Sequence, residues 1–197
     1  TRTNYAFKGW YTDKTNGTKV TSQTKATENM TLYARWEVIK PNTMLGFTYS
    51  ERTSNSVILK WTKNVSATGY FVQQYKNGGW STVKKITANS TVSYKVAGLS
   101  ASKTYQFKIV PYKMVDGVTV YGGVATKSVK TLPSYTKGFT YGARTAASVT
   151  LKWTKNTSAD GYVIQQYKSG GWTTIKTITS NSTVKYKVTS LKPSVNY

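Results

Sequence analysis

Short runs that alternate apolar and polar residues recur along the chain, and turn-forming residues separate them. In the clearest run, 105–110, Tyr105, Phe107 and Ile109 would lie on one face of a β-strand. Asn77-Gly78 stands between two such runs and is typical of a hairpin turn, because Asn and Gly accept a positive φ. The remaining strand-like runs between residues 41 and 133 are 56–61, 69–75, 80–86, 91–96, 118–121 and 126–131. Threonine, valine and tyrosine recur throughout, which favours an all-β chain.

One segment of the sequence is duplicated at the scale of a domain. Gly-Phe-Thr-Tyr at 46–49 recurs at 138–141, and Leu-Lys-Trp-Thr-Lys-Asn at 59–64 recurs at 151–156. Both recurrences have the same offset of 92 positions. Solenoid repeats have periods of roughly 20–50 residues, so the duplicated unit is a whole domain rather than a solenoid repeat.

The first copy carries an ordered set of motifs. Ser-Val-x-Leu-x-Trp61 is followed by Gly-Tyr70-x-Val, by Leu99 and by Tyr105-x-Phe, and the segment closes with Thr-Leu-Pro. These motifs resemble a fibronectin type III domain over residues 41–133. The resemblance implies an immunoglobulin-like β-sandwich of about seven strands, with Trp61, Tyr70, Leu99 and Tyr105 in its core. It also implies a tyrosine corner, in which the phenol of Tyr105 bonds back to the backbone.

The second copy, residues 134–197, is similar to the same family through Trp153, Tyr162, Leu191 and Tyr197. These four residues are expected in the core of a second sandwich. The segment that follows Tyr105 supplies the last two strands of the first copy, and it has no counterpart after Tyr197. The sequence therefore predicts tandem sandwiches, of which the second lacks its last two strands.

The first 40 residues have a different pattern. Phe-Lys-Gly-Trp-Tyr at 7–11, Gly-Thr-Lys-Val at 17–20 and Leu-Tyr-Ala-Arg-Trp at 32–36 resemble the Listeria–Bacteroides repeat, the B-repeat of internalin-type surface proteins. The resemblance implies a partial β-grasp-like module without its opening strands. We therefore predict three domains, residues 1–40, 41–133 and 134–197. The linkers between them are short, which favours a fairly stiff string.

The sequence offers little for catalysis, cofactors or metals. It contains neither cysteine nor histidine, which removes thiolate sites and the commonest acid–base residue. The six carboxylates are scattered singly, whereas glycoside hydrolysis needs two facing carboxylates and calcium needs several clustered oxygens. Glycine-rich phosphate loops and nucleophile elbows are missing as well. We expect no enzyme, cofactor or metal site, and assign Asp116 to its hairpin turn. No apolar run is long enough for a membrane span.

The charge is strongly basic, with 28 basic and 6 acidic residues and a formal net charge of +22. Almost all the bases are lysines, and the lysines fall largely at outward strand positions, such as Lys60, Lys84, Lys95 and Lys108. Such a surface attracts polyanions, and the candidates are anionic cell-wall polymers, acidic glycans, anionic lipid head groups and nucleic acid. The alternative is that lysine keeps the strands soluble and protects their edges. Arginine-rich and base-stacking signatures are not evident, so nucleic acid is not expected as a physiological partner.

Aromatic side chains beside the Asn-Gly turn are candidates for ligand stacking. Tyr75 and Trp80 flank this turn in the first copy, and Tyr167 and Trp172 occupy the same positions in the second. Exposed aromatic rings among Gln and Lys could stack on sugars or contact a protein loop. The alternative, which we favour from sequence, is that the two tryptophans belong to the peripheral core.

The resemblances imply an extracellular or cell-surface location in a bacterium, with Gram-positive organisms favoured. The expected function is structural and adhesive, namely to space, present or attach other domains of a multi-domain protein. The expected partners are anionic wall polymers, glycans or host proteins. The alternative is an accessory spacer or glycan-binding module of a secreted enzyme that degrades polysaccharide or peptidoglycan.

Overall fold

The computed structural model describes residues 1–26 and 28–197, and these residues form fifteen β-strands and no helix. The described residues therefore include no apolar helix of membrane-spanning length. The sheets are those of a fibronectin type III-like sandwich, so the predicted all-β class is confirmed. By its contacts the chain divides into two compact units. The first comprises residues 1–48, 60–93 and 106–127, and the second comprises 49–59, 94–105 and 128–197. The expected division at residues 40 and 133 stays a prediction.

The first unit begins with a two-stranded antiparallel sheet of β1 (Tyr5–Tyr11) and β2 (Tyr33–Val38). A bulge between Phe7 and Gly9 shifts the register of this pair. Phe7 packs against Trp36 with ring centroids 5.1 Å apart. The sheet therefore presents an aromatic face.

The larger sheet of the chain has five strands in the order β10-β8-β5-β6, with β9 also paired to β8. Its long strand β8 turns Phe107, Ile109 and Pro111 to one face, where all three are buried. Alternation in 105–110 is the reason, because successive side chains point to opposite faces. The strands are β5 (Gly69–Lys76), β6 (Gly79–Ile86), β8 (Thr104–Val115), β9 (Val118–Tyr121) and β10 (Ala125–Lys130).

A three-stranded sheet of the first copy has the order β3-β4-β7, and the second copy repeats this order as β11-β12-β15. The second copy also has a two-stranded sheet, β13-β14. Its core centres on Trp153, Ile164 and Ile178, with Leu151 and Tyr186 packed against them. The strands are β3 (Thr48–Arg52), β4 (Ser56–Lys60), β7 (Ser93–Ala97), β11 (Thr140–Thr145), β12 (Ser148–Lys152), β13 (Tyr162–Lys168), β14 (Gly171–Ile178) and β15 (Lys185–Val188).

The residues expected in the two cores differ in how far they are covered. Trp61, Tyr70, Leu99 and Trp153 are buried. Those that are only half-buried are Tyr105, Tyr162 and Leu191. The backbone N–H of Ser100 donates to the phenol oxygen of Tyr105 at 2.7 Å, which is the geometry of a tyrosine corner.

The expectation that Tyr197 is a core residue needs correction, because this side chain is 56% exposed. The backbone N–H of Lys192 still donates to its phenol oxygen at 2.7 Å. Tyr105, however, belongs to β8, which pairs with β5, whereas Tyr197 lies outside the strands. The hydrogen bond of the corner is local in sequence, while the burial of the ring depends on neighbouring strands.

Candidate functional site

The predicted stacking residues of the first copy lie together at the tip of the β5–β6 hairpin. Tyr75 and Trp80 are directly opposite each other, and their ring centroids are 5.3 Å apart in an edge-to-face arrangement. The Lys108 ammonium lies 4.5 Å from the Trp80 ring centroid, within range of a cation–π interaction. Tyr75 is exposed, whereas Trp80 is half-buried. The pair therefore offers an amphipathic surface with a positive charge beside it.

The second copy repeats this pair on the β13–β14 hairpin. Tyr167 lies opposite Trp172, with ring centroids 5.4 Å apart and again edge to face. Trp172 is 68% exposed, so this ring is not peripheral core. Beside the pair, the Gln165 side-chain amide donates to the hydroxyl of Thr174 at 3.3 Å. The hairpin thus presents an open indole face, and the stacking role of these four aromatic residues stays a prediction.

A second aromatic cluster lies on the outward face of the five-stranded sheet, opposite the face that carries Phe107 and Ile109. The Phe71 ring lies 4.9 Å from Tyr112 and 5.9 Å from Tyr121, measured between centroids. The Lys85 ammonium is 5.6 Å from the Phe71 centroid. These contacts leave Tyr112 almost fully buried on the outward face of the sheet. The cluster therefore stabilises the sheet.

The first module contains a groove of about 480 Å³ that the sequence patterns had not indicated. Phe7, Trp10 and Trp36 line it together with Arg2 and Tyr5. The Arg2 guanidinium carbon lies 3.8 Å from the centroid of the Tyr5 ring. The groove is therefore aromatic, with one cation at its edge.

A buried asparagine organises the segment that leads into the first copy. The Asn64 side-chain amide donates to the backbone carbonyl of Asn42 at 2.7 Å. Its side-chain oxygen accepts hydrogen bonds from the backbone N–H and the hydroxyl of Ser66. The same Ser66 hydroxyl accepts from the backbone N–H of Asn42 at 2.8 Å. Residue 42 is therefore held through both of its backbone polar groups.

The core tyrosine belongs to the same network. The backbone N–H of Asn64 donates to the Tyr70 phenol, which donates to the backbone carbonyl of Asn89, both at 2.9 Å. The Asn89 side chain then donates to the carbonyl of Ala67. We call this set of residues, Asn64, Ser66, Tyr70 and Asn89, the asparagine network.

The second copy builds the same network from Asn156, Ser158, Tyr162 and Asn181. Asn156 donates to the carbonyl of Ser134 at 2.6 Å and accepts from both the N–H and the hydroxyl of Ser158. Ser158 also accepts from the N–H of Ser134 at 2.8 Å. Tyr162 links Asn156 to the Asn181 carbonyl, as Tyr70 does in the first copy. Each copy therefore fixes the backbone at its own first residues, at Asn42 in the first copy and at Ser134 in the second.

Sequence reasoning noticed these asparagines only as part of the duplicated block. Because nearly the whole block is shared, the duplication gave no reason to single out Asn64 or Asn156 within it. A usable signal was the spacing Asn-x-Ser-Ala after the core tryptophan. Asparagine followed two residues later by serine favours a side-chain-to-backbone turn.

Asp116 has a second partner set beyond the hairpin turn that the sequence assigned to it. The residue does adopt a positive φ of 48° in the β8–β9 turn. Its carboxylate also accepts hydrogen bonds from the Arg2 guanidinium at 2.9 Å and from the Tyr5 phenol at 2.7 Å. The hydrogen bond from Tyr5 lowers the pKa of Asp116, and the bond to Asp116 raises the pKa of Tyr5. The start of the chain thus contacts the β8–β9 hairpin.

Among the described residues, no group of three or more Cys, Asp, Glu or His side chains is placed to hold a metal ion. Asp13 and Glu37 instead serve a turn and an ion pair. Asp13 accepts two backbone N–H bonds, from Thr15 and Asn16, which lower its pKa. The ion pair between Lys8 and Glu37 lowers the pKa of Glu37. Among the lysines expected to point outward, Lys60, Lys84 and Lys95 are exposed and Lys108 is half-buried.

Two segments of the chain match known families. Residues 1–35 match the Listeria-Bacteroides repeat domain, and residues 40–121 match the fibronectin type III domain. Both resemblances seen in the sequence are thereby confirmed. Both kinds of domain are typical of extracellular bacterial proteins. Fibronectin type III domains are generally non-catalytic and often mediate protein interactions.

Solved structures with similar folds include animal proteins. A two-domain fibronectin type III segment of chicken tenascin is 22% identical, with 76% of this chain and 84% of that chain covered and a TM-score of 0.46. The FN1–FN3 domains of chicken CNTN1 are 18% identical, with 76% of this chain and 56% of that chain covered and a TM-score of 0.40. Neither likeness bears on function.

Proposed function

We propose that this chain has a structural and adhesive function in a bacterial cell-surface protein. It contains segments that match the Listeria-Bacteroides repeat and the fibronectin type III domain. In this proposal the chain is non-catalytic and is secreted by a Gram-positive bacterium. It spaces and presents the other domains of its protein, and its basic surface attracts anionic wall polymers. The typical extracellular location of both families supports this reading. The observation that carries this proposal is the asparagine network, which holds the first residues of each copy in place.

A spacer must keep its domains at a defined distance, which requires linkers with few free torsions. In the second copy, Asn156 and Ser158 hold both backbone polar groups of Ser134. The hydroxyl of Ser102, which precedes β8 in the first copy, donates to the carbonyl of Ser158. Ser102 of the first copy and Ser134 at the start of the second are therefore both tied to the loop that contains Asn156 and Ser158. Such a junction restricts the relative orientation of the residues that it joins, whereas a flexible Gly/Ser tether would not.

The junction between the first module, residues 1–40, and the first copy is also held by contacts between residues distant in sequence. The backbone N–H of Met44 donates to the carbonyl of Gly123 at 3.0 Å. A Cβ on Gly122 would lie 2.4 Å from the carbonyl oxygen of Pro41, so the backbones approach there as only glycine permits. The contact of Arg2 and Tyr5 with Asp116 adds a third attachment. These contacts favour a fixed geometry between the first module and the hairpin.

This geometry is expected to depend on Asp116 and on pH. Because the pKa of Asp116 is lowered by the contact, the contact is fully present above the ordinary pKa of 3.8 and is lost as the pH falls through the lowered value. The raised pKa of Tyr5 places the upper limit above its ordinary 10.0, where the phenolate would repel the carboxylate. At neutral pH the Asp116→Asn variant should loosen the first module.

Spin labels on cysteines introduced at Gln23 and Lys76 measure this directly, since the chain has no cysteine of its own. Both positions are exposed. We expect a narrow distance distribution at pH 7 that broadens in the Asp116→Asn variant. Asp160→Asn is the control, because it removes the same charge outside this junction. A broad distribution in the parent protein at pH 7 would refute the spacer function.

A second candidate function is glycan binding by an accessory module of a secreted enzyme that degrades polysaccharide or peptidoglycan. The exposed indole of Trp172 favours it, because sugar rings stack on such surfaces. On a glycan array, Trp172→Ala should lower the signal about two- to twelvefold, which corresponds to the roughly 0.5–1.5 kcal/mol typical of an aromatic contact. Tyr141→Ala, which removes another exposed aromatic residue of the second copy, is the matched control. A blank array for the parent protein would count against this function.

A further inference from the structure

The outward face of the sheet β11-β12-β15 carries three lysines in close register. Lys152 and Lys185 are directly opposite each other on β12 and β15, and Lys187 lies opposite Thr150. Because side chains alternate along a strand, these residues share one face, and all three lysines are exposed. The other face carries Leu151 and Tyr186, which pack on the core of the second copy. Three exposed lysines therefore share one face of this sheet.

Without a bound anion, this arrangement of lysines destabilises the folded state. Like charges directly opposite each other in an antiparallel pair destabilise the sheet, because their Cβ atoms are about 5 Å apart. Among the described residues of the second copy the one acid is Asp160, which lies outside β11, β12 and β15. The described part of the chain therefore supplies no carboxylate on these strands to neutralise the lysines. A bound anion would relieve the repulsion.

Comparison of the two copies shows that this charge is particular to the second. Ser93 stands in the first copy where Lys185 stands in the second, at the offset of 92 residues. Glu51 of β3 is replaced by Ala143 in β11. In the second copy the three-stranded sheet has therefore gained a cation and lost an anion while its core pattern is retained. Solubility does not require this change, because the whole chain already carries a charge of +22.

We propose that Lys152, Lys185 and Lys187 form a binding site for a linear phosphodiester polymer of the polyol-phosphate class. Lysine ammonium groups bind phosphates as point charges, without the bidentate geometry that arginine imposes. A flexible polyol-phosphate chain can place successive phosphates on successive lysines. The outward residues Thr150, Lys152, Lys185 and Lys187 include no aromatic ring on which bases would stack, which disfavours single-stranded nucleic acid. The site deepens the surface function proposed above and rests on it for the presence of such a polymer.

Binding of purified poly(glycerol phosphate) to the full chain, measured by calorimetry at several salt concentrations, tests the site. The triple variant Lys152→Gln/Lys185→Ser/Lys187→Gln should lose about tenfold or more in affinity at low salt. Each phosphate contact on a flexible polyanion contributes about −0.7 to the slope of log K against log salt, so three lost contacts should make this slope less negative by about 2. The control variant Lys60→Gln/Lys84→Gln/Lys95→Gln has the same net charge and should change affinity less than about threefold.

Several outcomes would overturn the site. Equal losses in the two triple variants would mean that net charge alone attracts the polymer. Unchanged affinity in the second-copy variant, no binding by the parent chain, or tighter binding of single-stranded DNA than of poly(glycerol phosphate) would also refute it. Thermal unfolding without polymer separates these results from misfolding, because removal of the Lys152–Lys185 repulsion should leave the variant at least as stable as the parent. The spacer function is tested independently by the spin-label distances, which do not depend on these lysines.

Discussion

Replacement of Tyr70 by alanine should lower the free energy of unfolding of the first copy by about 4–5 kcal/mol. The side chain is fully buried, and its ring lies 5.4 Å from that of Trp61 in an edge-to-face contact. Truncation removes this packing and also leaves the Asn64 N–H and the Asn89 carbonyl without their phenol partner. Packing and hydrogen bonding therefore act in the same direction.

Denaturant unfolding followed by tryptophan fluorescence measures the effect of this substitution. Tyr70→Phe should cost about 1–3 kcal/mol, because it retains the ring and removes the hydroxyl that joins two backbone groups. Tyr162→Ala in the second copy is the matched comparison. It should destabilise its own copy less, since Tyr162 is only half-buried. A loss under about 1 kcal/mol for Tyr70→Ala would contradict the assignment of this residue to the centre of the core.

Replacement of Asn64 by alanine should cost about 2–3 kcal/mol. The side chain is buried and takes part in hydrogen bonds to the carbonyl of Asn42 and from the N–H and hydroxyl of Ser66. The methyl group of alanine can form none of these hydrogen bonds, and the carbonyl of Asn42 loses its donor. The loss therefore exceeds that of a single surface hydrogen bond.

The position of the leading segment provides a second measurement for the same substitution. In the Asn64→Ala variant, hydrogen exchange at the amide of Asn42 should accelerate more than that of the strand amides in β5. Asn64→Asp is the control for size, since it keeps the acceptor for Ser66 and removes the donor to Asn42. Equal protection of the Asn42 amide in the parent and in both variants would show that the asparagine does not hold this segment.

The aromatic pairs at the two hairpin tips show how much of a candidate site could be predicted from the sequence. The Asn-Gly turn predicted that Trp80 lies close to Tyr75, because hairpin register follows from turn chemistry. Exposure was not predictable in this way. Trp80 is half-buried beside Lys108, while Trp172 at the same position of the second copy is largely open. Coverage of a ring depends on neighbouring strands that are distant in sequence.

The asparagine network and the Asp116 contact show the opposite case. Asn64 reaches Asn42 across 22 positions, and Asp116 reaches Arg2 across 114. No local pattern encodes such a pair, because each partner is an ordinary polar residue in its own segment.

By itself the sequence determined the all-β class, the duplication of a domain and the families of two segments, because alternation, turn chemistry and repeated motifs are local properties of the chain. Only the tertiary structure decided which polar side chains hold the junctions, which aromatic rings remain open and which lysines share a face. Those properties arise when strands distant in sequence are brought into register, and the register places Lys185 directly opposite Lys152.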